Sequence, residues 1–105
     1  MEPNGFRVGD WTVEPDLDRL ERDGHVVHLR PKSMTVLVHL AGRPGAVVTR
    51  EDLQRNVWAD VHVSEENLSH CIAEIRGALG DDAKQPAYIE TVARHGYRLI
   101  APVFR

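Results

Sequence analysis

The groups that could carry chemistry are six histidines (His25, His28, His39, His62, His70, His95), a lone Cys71 and the carboxylates around the 63–79 stretch. No two histidines stand at the i, i+4 spacing that would let one helix face hold a metal, and none accompanies a cysteine pair. His70 and Cys71 are adjacent, so a helix points them about 100° apart and a thiolate–imidazole pair is not formed. No nucleophile has an oriented base, no carboxylates pair for acid–base work, and no glycine-rich loop would cradle phosphate. No catalytic residue, metal or cofactor is expected, and the chain does not read as an enzyme.

What remains is a surface. From Val63 to Leu79, Ser64 suits a helix N-cap and Glu65 and Glu66 fill the first turn, where the helix dipole favours negative charge. Leu68, Cys71 or Ile72, Ile75 and Leu79 recur at helical spacing, which predicts one apolar stripe. Gly80 accepts the left-handed conformation of a C-cap. The opposite face carries Asn67, Ser69, His70, Ala73, Glu74, Arg76 and Gly77, mostly short groups suited to entering a groove. Asn67 equally suits a role in capping the first turn, and Cys71 packs as a small hydrophobe.

Other elements must hold that helix. Phe6 to Glu14 reads as two short strands broken at Gly9-Asp10, and 17–29 as a hairpin turning at Asp23-Gly24. Pro31 suits the first position of a helix rich in Met34, Val36, Leu37, Val38, Leu40 and Ala41, stopped by Gly42, Pro44 and Gly45. Thr49-Arg50-Glu51-Asp52 resembles a capping box with Asp in the usual Glu place. The second helix turns Leu53, Val57 and Trp58 inward, Trp58 as a core residue first. Ala59 to His62 then links two helices tightly, the helix-turn-helix plan. After a polar loop from Asp81 to Pro86, strands at 88–92 and 97–101 flank Ala93-Arg94-His95-Gly96, with Gly96 expected to supply the unusual backbone angles of the tip. A cationic hairpin tip beside a helix-turn-helix is a wing.

One domain fits 105 residues with 42% hydrophobic content. No run reaches the length of a membrane span, and Met-Glu-Pro-Asn-Gly lacks the pattern of a signal peptide. A single cysteine excludes an internal disulfide, so a reducing cytoplasmic setting is expected, without membrane contact by this segment. The net charge of −3 runs against a nucleic-acid binder. Residues 1–30 hold four basic and seven acidic side chains, however, so the whole imbalance lies there and the rest is neutral.

The order of elements, with the strings Leu29-Arg30-Pro31-Lys32, Val48-Thr49-Arg50-Glu51-Asp52-Leu53, Val57-Trp58, the 72–82 run Ile-Ala-Glu-Ile-Arg-Gly-Ala-Leu-Gly-Asp-Asp, Ile89-Glu90-Thr91-Val92 and Gly96-Tyr97-Arg98-Leu99-Ile100, resembles the OmpR/PhoB-type DNA-binding domain. The Leu-Gly-Asp-Asp and Leu-Ile-Ala-Pro-Val strings are similar to its CadC-like branch, in which the domain heads a longer regulator. The expected fold is α+β, a winged helix-turn-helix over 6–103: an N-terminal antiparallel sheet (6–30), a three-helix core (31–80), and a loop with a C-terminal β-hairpin wing (81–103).

The resemblance implies sequence-specific binding of double-stranded DNA by a transcriptional regulator. It implies base reading in the major groove by Asn67, His70, Ala73 and Glu74, where Ala73 offers a methyl contact and Glu74 can accept from a cytosine amino group. Phosphate contacts fall to Trp58, Ser69, Arg76, Thr91 and Tyr97, and minor-groove contact to Arg94 and His95. Ala59, Asp60, Val61 and His62 match a loop that some members use on RNA polymerase. Self-association on direct-repeat DNA and a sensing module outside this chain, which can tether the whole protein to a membrane, are also implied. The competing reading is a winged-helix protein-interaction module without DNA binding, favoured by the net charge, Glu65, Glu66 and Glu74.

Overall fold

The computed structural model describes residues 5–59 and 65–105. An antiparallel sheet forms first, because the chain reverses at 9–10 and 23–24. Strand β1 (Phe6–Val8) pairs with β2 (Trp11–Glu14), a 3-10 turn spans Pro15–Leu17, and β3 (Arg19–Arg22) pairs with β4 (His25–His28). Asp23 and Gly24 both have positive φ, which matches the right-handed twist of the strands they join. Period-two alternation buries Phe6, Val8, Trp11, Val13 and Leu20 on one face. Asp10, Asp16 and Asp23 are exposed, as expected of the acidic segment.

Helix α1 (Pro31–Ala41) starts on Pro31 and is capped at Gly42. Its valines and Thr35 would tolerate a strand, but Met34, Val36, Leu37, Leu40 and Ala41 are all buried because α1 packs against α2, α3 and the second sheet. Strand β5 (Val47–Thr49) leads directly into α2 (Arg50–Val57). Thr49 Oγ1 accepts the Asp52 N–H at 3.0 Å, the capping bond read from the sequence.

Helix α3 (Glu65–Leu79) follows, then β6 (Ile89–Val92), β7 (Gly96–Leu99) and β8 (Val103–Phe104). Two sheets result, ordered β4-β3-β2-β1-β8 and β5-β7-β6. Strands β5 and β8 are additions to the elements expected from sequence. Each is two or three residues long and is defined by a distant partner, β5 by β7 and β8 by β1. One hydrophobic core joins both sheets and all three helices.

Candidate nucleic-acid interface

Leu68, Cys71, Ile72, Ile75 and Leu79 of α3 are each 4% exposed or less. Burial of the four large aliphatic side chains contributes about 1.5–3 kcal/mol apiece. That stripe fixes which side of α3 faces out: Asn67, Ser69, His70, Ala73 and Gly77 are exposed, while Glu74 and Arg76 are half-buried. Gly80 ends the helix at φ +72, its N–H directed to Gly77 O and the Asp81 N–H to Arg76 O at 2.8 Å, a Schellman closure. The Asp81 carboxylate then accepts backbone N–H groups of Ala87, Tyr88 and Ile89 at 2.7, 3.2 and 2.9 Å, carrying the helix end into β6.

The wing is fastened to α3 by Arg76. One terminal nitrogen, Nη2, donates to Ile89 O and to Thr91 Oγ1, both at 2.8 Å. Two expected phosphate contacts, Arg76 and Thr91, are therefore bonded to each other. Strands β6 and β7 pair through Thr91↔Tyr97 and Val92↔Gly96, and an Arg98–Glu90 ion pair braces them. Arg94 and His95 are exposed at the tip.

The unusual tip angles belong to Arg94, at φ +68, and not to Gly96 as the sequence suggested. Gly96 is required for another reason: a Cβ there would lie 2.0 Å from Val48 O. The hairpin consequently presses flat against β5, and Arg50 N–H reaches His95 O at 3.1 Å. The Arg50 guanidinium also lies 5.9 Å from the centre of the Tyr97 ring. Tyr97 itself is only 5% exposed, a core residue with at most an edge available to a ligand.

Glu74 departs from the expected base-reading geometry. Its Oε2 accepts the Arg30 backbone N–H at 3.0 Å, and Oε1 accepts Arg30 Nε at 2.9 Å and the Ser33 hydroxyl. Arg30 is the N-cap of α1 and Ser33 the third helical residue, yet α1 has no side-chain cap of its own. A capping box would place Glu at that third position to hold the N-cap N–H. Here Ser33 stands there, and α3 supplies the carboxylate across the helix–helix contact. Helical periodicity sees only one helix, so a partner 41 or 44 residues away leaves no trace in it.

Burial of the Glu74 carboxylate pushes its pKa up, but hydrogen bonds from Ser33 and Arg30 and the Arg30 charge outweigh burial and hold it below the ordinary value. A depressed folded pKa stabilises the fold above the normal carboxylate range, and the contribution disappears as pH falls through the folded value. Glu74→Ala should therefore lower stability by about 1–2 kcal/mol at pH 7. The deficit should shrink below about pH 4, which denaturant melts at several pH values would read. An equal deficit at all pH values would remove the carboxylate's charge from the explanation.

Arg30, Lys32, Trp58, Asn67, His70 and Cys71 line a cleft of about 490 Å³ between the start of α1, the end of α2 and α3. Lys32 Nζ donates to Val57 O at 2.9 Å, and Trp58 is half-buried against the core. Ala59 is exposed. Asp60, Val61 and His62, and the expected Ser64 cap, lie outside the described residues. Among the described residues no cluster of metal-ligating side chains forms, and no helix is long and apolar enough to cross a membrane.

The family model for the C-terminal domain of transcriptional regulatory proteins matches residues 24–99. Over 104 residues, 98% of the chain, the sequence is 38% identical to the transcriptional activator CadC of Escherichia coli. The chain spans about a fifth of that relative's length. The solved DNA-binding domain of E. coli CadC superposes with a TM-score of 0.87 at 34% identity, covering 99% of this chain and 98% of that one. The Klebsiella pneumoniae RstA DNA-binding domain, solved in complex with the RstA box, gives 0.77 at 26% identity over 91% of this chain and 96% of that one.

Proposed function

Because the chain belongs to the family of transcriptional regulatory protein C-terminal domains, whose fold here is the OmpR/PhoB-type winged helix, we propose that it binds double-stranded DNA sequence-specifically. The observation that carries this reading is the attachment of a cationic wing to the same helix whose polar face is open, through Arg76 and Thr91. In the proposal α3 enters the major groove and the wing tip the neighbouring minor groove. Asn67, His70 and Ala73 read bases, Trp58, Ser69, Thr91 and the edge of Tyr97 meet phosphate, and Arg76 holds the wing to α3. Backbone contacts then supply affinity and register, while a few side chains supply preference.

The chain spans about a fifth of CadC, and a sensing region elsewhere in the whole protein is part of the proposal. Two copies on direct repeats offset the weak affinity of a segment, 31–105, that carries no net charge. Contact with RNA polymerase by the 59–62 link and a cytoplasmic setting complete the proposal.

Fluorescence titration against duplex DNA over a salt series tests it. Neutral donors release no counterion, so with two to four cationic side chains engaged log K should fall linearly with log salt at a slope of about −2 to −4. A flat and negligible response would favour the protein-interaction module. Arg94→Ala keeps the backbone strain of a positive φ, since both residues carry a Cβ, and so isolates the side chain. It should weaken binding by about 1–3 kcal/mol, and unchanged affinity would remove the wing tip from the interface.

A further inference from the structure

The pairing of Glu74 with Arg30 has a consequence on the outward side of α3. Glu74 lies one turn beyond His70 and two beyond Asn67, so all three share one side of the helix. An unpaired carboxylate there would repel a nucleic-acid backbone. It is not unpaired: the Arg30 backbone N–H and Nε both bind it, from the start of another helix.

Those two bonds settle the direction of the Arg30 side chain without covering it. The side chain is 65% exposed, and the bond to Glu74 engages Nε, leaving the fork of Nη1 and Nη2 on the exposed end. Arg30 also fronts the cleft it shares with Lys32, Trp58, Asn67 and His70. A planar guanidinium anchored through Nε and open at its fork is suited to a phosphate oxygen pair.

We propose that Arg30 is a DNA-backbone contact at the mouth of this cleft, and that Glu74 is its positioning residue rather than a base reader. The inference rests on the DNA-binding reading above and deepens it. Glu74 thereby does two things at once: it caps α1 and presents the α1 cation beside the reading face of α3.

The test is the salt-dependent titration repeated on variants of the same chain. Arg30→Gln should bind about five- to tenfold more weakly near 0.1 M salt, with the slope reduced by about 0.9, the loss of one phosphate contact. The weakening should be equal on matched and mismatched duplexes, because a phosphate carries no sequence. Arg30→Lys retains the charge and the backbone bond, so it should restore the slope but still bind severalfold below wild type. In a Glu74→Ala background the penalty of Arg30→Gln should fall to less than half.

An Arg30→Gln protein that melts lower yet keeps the wild-type slope and affinity would overturn the proposal, as would Arg30→Lys equal to wild type in affinity. Either result leaves DNA binding standing provided the wild type titrates with salt. A wild type without salt-dependent binding removes the reading beneath it instead.

Discussion

Gly96→Ala is expected to destabilise the fold by about 3 kcal/mol or more, toward the upper end of overpacking effects. An added Cβ would stand 2.0 Å from Val48 O, 2.8 Å from Thr49 Cα and 2.9 Å from the Val48 carbonyl carbon. All three are backbone atoms, so no rotamer change relieves the clash. Thr49 pairs directly with Gly96 across β5 and β7 and also caps α2, so a shift there would propagate into the helix start. Denaturant midpoints compare the two proteins. A loss under about 0.5 kcal/mol, the ordinary range of a surface substitution, would show that β5 and β7 separate more easily than their register implies.

Arg76→Ala is expected to lower DNA affinity by about 10- to 100-fold and stability by about 1–3 kcal/mol. The stability loss follows from removing a charged donor shared by Ile89 O and Thr91 Oγ1. The affinity loss follows from loosening β6, and with it the tip at Arg94, against α3, where the Asp81 bonds alone would remain. A simple phosphate contact predicts a different pattern, in which Arg76→Ala and Arg94→Ala weaken binding additively. A mechanical link predicts that Arg94→Ala matters far less once Arg76 is gone, a coupling that a double-mutant cycle measures. Strict additivity would reduce Arg76 to an independent contact.

Local chemistry made much of this architecture legible in advance. The stripe from Leu68 to Leu79, the Gly80 stop, the Pro31 start, the Thr49 cap and the Asp23-Gly24 turn each depend on neighbours within about one turn, and each is realised. Features defined by partners far along the chain were not legible. Strand β8 exists because β1 offers a free edge, and β5 because Gly96 lets β7 approach.

The same division runs through the interface. Exposure of Asn67, Ser69, His70 and Ala73 follows from one helix's periodicity. The capture of Glu74 by Arg30 and Ser33, and the anchoring of β6 by Arg76 and Asp81, depend on which elements meet in space. Arg50 escaped notice because its only signal was a place in a capping sequence, whereas the fold sets it beside Tyr97 and the wing.

The central claim is geometric: one duplex touches the outward face of α3 and the wing tip together. The most direct measurement is a ¹⁵N–¹H chemical-shift titration of the labelled chain with a duplex selected for tight binding. The amides of Asn67, Ser69, His70 and Ala73 and those of Ala93, Arg94 and His95 should shift along one binding isotherm, while Glu21, Val26 and Val27 in β3 and β4 stay still. Shifts confined to the β3–β4 face, or an α3 response without the wing, would contradict the account.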